Sequence, residues 1–148
     1  MPDTLPNLNR AAAKAEGLRP QVLLLKGAED LDEALSAFRD EGADALLCLE
    51  VPRTSTSGRR IAELAVAARL PAMFGRDLAR YGPMFAYGTS LAAAARRMAD
   101  RILKGARRGA LAVERVEQPE LVVNLKVARE LGVTIPPDVL ARADQVIR

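Results

Sequence analysis

Apolar and polar positions along this chain follow two periods that take turns. Leu8, Ala11, Ala12, Ala15 and Leu18 recur at helical spacing, and Gly17 supplies a C-terminal stop for a first short helix. Gln21 to Lys26 (QVLLLK) is a continuous apolar run, the pattern of a strand covered on both faces. Leu31, Ala34, Leu35 and Phe38 return to helical spacing, and Gly42 ends that helix. Ala45 to Glu50 (ALLCLE) reads as a second buried strand, and Ile61, Leu64, Ala65 and Ala68 mark the next helix face. Pro71 to Gly75 (PAMFG) predicts a third strand, beginning at a proline where no ladder donor is needed. One helical turn over Asp77 to Tyr81 leads to a fourth strand, Met84 to Tyr87 (MFAY). Leu91, Ala95, Met98 and Ile102 then lie on one face of a long helix. Leu121 to Leu125 (LVVNL) predicts a fifth strand, and Val127, Ala128 and Leu131 a short helix ending at Gly132. Pro136 and Pro137 open a last helix with Leu140, Ala143 and Ile147 facing inward.

Strands separated by helical segments predict a three-layer α/β fold, a parallel sheet with helices on both faces. In such sheets ligands sit outside the carboxyl ends of the strands. The loops to read for function are therefore those after Glu50, Gly75 and Tyr87. The one shift in composition, Gly105 to Pro119, is basic and rich in turn formers. It divides the chain into an α/β lobe over 1–104, a connector over 105–119 and a strand-helix segment over 120–148. That last segment belongs to the same domain or packs on a partner.

Composition narrows the chemistry. Of 148 residues, 49% are hydrophobic and only 3% aromatic, so the core is built from Leu, Val, Ile and Ala. There is no histidine, which excludes every His-based triad, relay and metal site. Neither a phosphate loop GxxxxGK[ST], a dinucleotide GxGxxG nor a nucleophile elbow GxSxG is present. Cys48 lies between Leu47 and Leu49, the setting of a buried, inert thiol, and as the single cysteine it forms no internal disulfide. Glu29, Asp30, Asp32 and Glu33 cluster at a helix start, where the macrodipole favours them. No enzyme, cofactor or metal is expected. The net charge of +3 is mildly basic, with Arg96, Arg97, Arg101, Lys104, Arg107 and Arg108 close together. Asp100 interrupts them at ion-pair spacing and no aromatics are interleaved for stacking, so nucleic acid is not the expected partner. No apolar run approaches the ~18–20 residues of a membrane span.

Candidate binding residues stand at the three strand ends. After the second strand come Arg53, Thr54 and Ser55, followed by Thr56 and Ser57. These hydroxyls and the helix start behind them can hold a carboxylate; alternatively, Ser57 simply caps the helix. Gly75 and Arg76 follow the third strand, and Arg76 reads either as an anion partner or as a solvated surface residue. Tyr87, Gly88 and Thr89 end the fourth strand. Thr89 or Ser90 caps the long helix, and Tyr87 either floors a cleft or belongs to the core.

A resemblance then adds to this reading. AAAKAEGL, EDLDEAL, ADALLCLE, RRIAELAVAARLPAMFG, the AYG turn, DRILKG, VEQPELVVNLK and LGVTIP occur in this order. Their order and spacing resemble the substrate-binding proteins of bacterial ABC transporters, similar to the branched-chain amino-acid and tryptophan type. The resemblance implies a Rossmann- or flavodoxin-like lobe of a type I periplasmic binding protein, specifically the second lobe and closing segment. The first lobe and the lobe's own central first strand are expected to be missing, so the chain reads as truncated. It further implies a small polar solute such as an amino acid, bound weakly or not at all by one lobe, and an ABC permease as partner. An effector-sensing regulatory domain of the same fold is the alternative. Family members work in the periplasm; the start MPDTLPNLNR lacks a basic-then-apolar leader, so this chain is expected in the cytoplasm. A sheet without its central strand exposes unpaired edges. The expected remedy is a homodimer through Leu121–Ile147, with folding of that segment onto its own sheet as the other arrangement.

Overall fold

A computed structural model describes residues 4–22, 30–107 and 118–148. The chain divides into two compact units, Met1–Ala43 and Asp44–Arg148. In the first, α1 (Thr4–Ala15) and α2 (Leu31–Asp40) form where the helical spacing predicts them. α2 carries Asp32 and Glu33 in its first turn and Arg39 in its last, matching the helix dipole, and buries Leu31, Ala34 and Leu35. Gly42 takes a left-handed φ of 75°, which lets Ala43 return its N–H to the Phe38 carbonyl at 2.9 Å. Most of the expected strand QVLLLK, from residue 23 on, lies outside the described residues.

The second unit holds a five-stranded sheet of β1 (Leu46–Cys48), β2 (Ala72–Gly75), β3 (Phe85–Gly88), β4 (Glu120–Asn124) and β5 (Gln145–Ile147). The strands lie side by side in chain order. β1, β2 and β3 are parallel, as the alternation of strand and helix requires. The first crossover is α3 (Pro52–Ala67) and the second a 3₁₀ helix, Arg76–Tyr81. A further helix, α4 (Leu91–Leu103), leaves β3. β4 is the one antiparallel neighbour among the described strands of this mostly parallel sheet: it runs antiparallel to β3, with Gly88 opposite Glu120 and Phe85 opposite Val123. It therefore starts at the carboxyl end of β3, the end to which the chain has returned after α4. The segment considered for a partner subunit thus pairs in cis, in the fold-back arrangement. The final stretch also differs from expectation. α6 (Pro137–Ala141) is brief, and residues 145–147 form β5, parallel to β4, instead of prolonging the helix. Asp144 secures this turn from helix to strand. Its N–H donates to the Leu121 carbonyl at 2.9 Å, and its Oδ2 accepts the Leu121 N–H at 2.7 Å.

Register assigns the two faces of the sheet. Cys48, Phe74, Ala86 and Val122 are aligned on one face, and all are buried. Burying a side chain such as Phe74 contributes roughly 1.5–3 kcal/mol. α3 contacts β2 and buries Ile61, Ala62 and Ala65. Leu47, Met73, Phe85 and Val123 are aligned on the opposite face. Val123 is 0% exposed, clustered with Met84, Ala128 of α5 (Leu125–Leu131) and Ile135. Leu47, at the other end of that row, is 64% exposed. The same openness extends to α4. Its apolar face is present as the spacing predicts, yet it buries no residue, and Leu91, Ile102 and Leu103 are exposed.

Candidate functional site

The loops after β1, β2 and β3 all emerge at one end of the sheet, and β4 and β5 begin there. Every candidate residue taken from the sequence lies on this rim. Their local settings differ from the expectations in informative ways.

The connection after β1 is short, Leu49 to Val51. α3 begins directly at Pro52, with Val51 extended at its N-cap. Proline suits this first position because its missing N–H would have no helical partner. Thr54, three residues on, does the capping. Its Oγ1 accepts the Val51 N–H at 2.9 Å and donates to the Leu49 carbonyl at 2.6 Å. The Thr54 hydroxyl is thus committed to fixing the exit of β1. Ser57, the capping residue expected from the sequence, lies a turn and a half inside the helix. Ser55 is in the first turn, and its carbonyl accepts the Tyr81 hydroxyl at 2.8 Å. The Tyr81 ring lies against Gly58, where a Cβ would overlap the ring carbons, so α3 and the 3₁₀ helix are locked at close range. Arg53 stands in the same turn of α3, and its side chain lies outside the described set.

At the end of β2, Arg76 is neither solvated nor free. Its Nε donates to Glu120 Oε2 at 2.6 Å, and the two side chains are 22% and 40% exposed. This ion pair ties the β2 exit to the first residue of β4. Gly88, opposite Glu120, has a φ of 139°, and a Cβ there would sit 3.7 Å from the Arg76 backbone nitrogen. The pair and the glycine together bring the ends of β2, β3 and β4 close. Asp77, the next residue, reaches the start of α4. Ser90 donates to Asp77 Oδ1 at 2.7 Å, the Ala92 N–H donates to Oδ2 at 3.0 Å, and Ser90 Oγ accepts the Ala93 N–H at 3.1 Å. Burial opposes ionisation of Asp77. The bonds from Ser90, Ala92 and Leu91, with the Arg76 charge, outweigh it and hold the carboxyl below its usual range. Of the two residues proposed as the α4 cap, Ser90 fills the role, and Thr89 is half-buried beside it.

Gly75 carries a second close approach. Glu50, just ahead of the α3 N-cap Val51, folds its side chain over it; an added Cβ would overlap Glu50 Oε2 and meet Glu50 Cβ at 2.7 Å. Tyr87 is in register with Gly75 on the neighbouring strand and is 50% exposed. Beside it runs an apolar groove of about 280 Å³, lined by Met73, Phe85, Tyr87, Leu121, Val139 and Arg142. A larger polar cleft of about 750 Å³ opens at the same end over Arg76, Gln118, Pro119, Glu120, Asp144 and Gln145. Cys48 faces away from chemistry. Burial pushes its thiol up to about 11 against a lowering hydrogen bond with Thr54, so the reactive thiolate is suppressed. Among the described residues no group of acidic or cysteine side chains is arranged to hold a metal ion. The basic cluster contains the expected pair of Lys104 with Asp100, at 2.7 Å, and Arg108 lies outside the described residues.

Glu50, Asp77 and Glu120 were not among the residues singled out from the sequence. The signal for Glu50 was available, since it ends one strand where the next ends in glycine. Asp77 and Glu120 give no such signal, because their partners are 13 and 44 positions away.

These features define a periplasmic-binding-protein type of lobe, and solved structures share its fold. A conserved domain protein from Vibrio cholerae O1 biovar El Tor superposes with a TM-score of 0.79 at 24% identity, over 97% of this chain and 49% of that one. The ABC domain from Streptococcus pneumoniae, solved in complex with L-Trp, gives 0.76 at 22%, over 97% and 50%. A ligand-free, open substrate-binding protein with adhesive properties from Clostridium difficile gives 0.68 at 15%, over 96% and 48%. The chain therefore spans about half the length of these solved relatives. No curated protein matches the sequence. The family model described as ABC transporter substrate binding protein matches residues 5–147, and the chain belongs to that family. Among the described residues no helix is long and apolar enough to cross a membrane.

Proposed function

We propose that this lobe binds a small polar solute, such as an amino acid, at the carboxyl ends of β1, β2 and β3, on behalf of an ABC permease. The observation that carries this reading is the convergence of Glu50, Gly75, Tyr87 and Gly88 on one open rim beside an apolar groove. That is where ligands sit in sheets of this kind. Thr54 and Ser90 serve the site as scaffolding, since their hydroxyls are spent on Leu49 and Asp77, and Arg76 is tied through its Nε to Glu120. Small-ligand sites bury some 70–90% of the ligand surface. A single rim covers one side of a solute, so binding by this lobe alone is weak, with dissociation constants of roughly millimolar order. In solution the lobe pairs with a second copy, with β1 as the contacting strand.

Thermal shift and calorimetry against a panel of amino acids, amines and carboxylates test the assignment. Saturable binding that shifts amide resonances of Gly75, Tyr87 and Gly88 is the expected result. A solute seated at the amino ends of β1–β3, or turnover of any panel compound, would overturn it.

A further inference from the structure

The polar groups of the rim are unequally occupied, and this bears on what the solute must bring. The features that attract anions at the ends of β2 and β3 already face carboxylates of the chain itself. Arg76 is paired with Glu120 at 2.6 Å, and the N-terminus of the 13-residue α4 holds the Asp77 carboxylate through Ser90 and the Ala92 N–H. Arg80 donates to the Asp77 carbonyl at 3.0 Å and stacks on Tyr81 at 4.8 Å. At the α3 start, Pro52 has no N–H to offer and the Ser55 N–H is bonded to the Val51 carbonyl. Arg142 lines the same groove as Met73, Phe85 and Tyr87.

Glu50 differs from these groups. It is exposed, and Arg80 acts on its carboxylate only as a nearby charge, without a hydrogen bond between them. Its carboxylate nevertheless has a defined seat, over Gly75 along the direction a Cβ would take. In-register neighbours on adjacent strands present side chains to the same face, and strands are spaced ~4.8 Å apart. Gly75 is in register with Tyr87, so the Glu50 carboxylate and the half-exposed Tyr87 ring stand next to each other on one face. A carboxylate beside an open aromatic ring fits an ammonium or guanidinium, which gains an ion pair from one and the ring's quadrupole from the other. Met73 and Phe85 continue that face into the apolar groove.

We propose that Glu50 and Tyr87 select a solute through its cationic group, an alkylammonium or guanidinium, with the solute's apolar body lying along Met73 and Phe85. This deepens the solute-binding reading and rests on it. Gly75 is the positioning residue, because any side chain there displaces the Glu50 carboxylate.

The test is amide chemical-shift titration of the ¹⁵N-labelled chain with two probes of similar shape and opposite charge, phenethylamine and 3-phenylpropionate. Phenethylamine should shift Glu50, Gly75 and Tyr87 saturably, and bind at least tenfold more tightly than 3-phenylpropionate. Glu50→Gln should lose about tenfold in phenethylamine affinity and Tyr87→Leu several-fold, while Glu63→Gln on the exposed side of α3 should lose nothing. Gly75→Ala should weaken the amine to the level of Glu50→Gln with the far-ultraviolet circular dichroism retained. Equal affinity for the two probes, or unchanged amine affinity in Glu50→Gln, would overturn the cation selection and leave the solute-binding reading standing. If neither probe shifts these residues, the cation selection fails, and the wider solute panel then judges the general reading separately.

Discussion

Asp77 shows how one side chain can organise a rim without touching a ligand. Its carboxylate receives Ser90 and the Ala92 N–H, so it anchors the start of α4 to the exit of β2. Removing such a cap typically costs about 1 kcal/mol, and Asp77→Ala should lower stability by that order in urea titrations. The sign of its pH dependence follows from the depressed carboxyl. The stabilisation is complete above the unfolded value, about 3.9, and is lost as pH falls through the lower folded value. Asp77→Ala should therefore flatten the acid limb of the stability profile and leave the pH 6–8 plateau parallel to wild type. Cys48 is the opposite case, a group whose ionisation the fold suppresses. With its thiol pushed up to about 11, iodoacetamide at pH 8 should label the folded chain far more slowly than the urea-unfolded chain. Labelling at equal rates would show that β1 does not protect it. Cys48 was legible in the sequence because two leucines flank it in an apolar run. The roles of Asp77 and Arg76 were not, because ion pairs and caps between distant segments leave no periodicity to read.

At the level of elements, the three parallel strands and their helices were visible because short apolar runs alternate with helically spaced segments. The direction of β4 was not visible, since LVVNL is equally apolar in either orientation. The deciding features are polar and non-local. Arg76 with Glu120 sets where β4 begins, and Asp144 on Leu121 sets how β5 returns. Asn124 adds a third, as a buried polar residue at the junction of β4 and α5. Its N–H donates to the Met84 carbonyl at 2.9 Å, and its Oδ1 accepts the Val127 N–H at 3.3 Å. An apolar replacement keeps the backbone bond but leaves the Val127 N–H without its acceptor beside a packed cluster. Asn124→Leu should cost roughly 1–3 kcal/mol. Glu120→Ala should cost less, about 0.5–1.5 kcal/mol, because its side chain is partly solvated. Chemical denaturation of the two variants checks the order, and a larger loss in Glu120→Ala would show that the ion pair, not the junction, holds β4.

Across the whole second unit, closure of one edge concentrates attention on the other. β4 and β5 cover the β3 side, whereas among the described residues no strand flanks the outer side of β1. The Leu46 N–H donates to the Pro71 carbonyl at 2.9 Å, toward β2. In a parallel ladder alternate residues bond to one neighbour, so the backbone groups of Leu47 point outward. Leu47 and Leu49 are also exposed, 64% and 46%, and no charge on β1 discourages pairing. Open apolar edges recruit other strands, and a two-fold axis beside β1 would join two copies antiparallel through the same patch on each. Such a dimer leaves the in-cis pairing of β4 with β3 intact, whereas exchange of Leu121–Ile147 would first have to break it. Light scattering over a concentration series should therefore show mass rising from 15.9 kDa toward twice that value. Leu47→Lys places a charge at the edge and should hold the mass at the monomer value with circular dichroism unchanged. Val123→Lys, by contrast, buries a charge in the α5 cluster and should unfold the chain before it alters association. A wild type that stays monomeric at the highest concentration, or a Leu47→Lys variant that still associates, would place the contact elsewhere than β1.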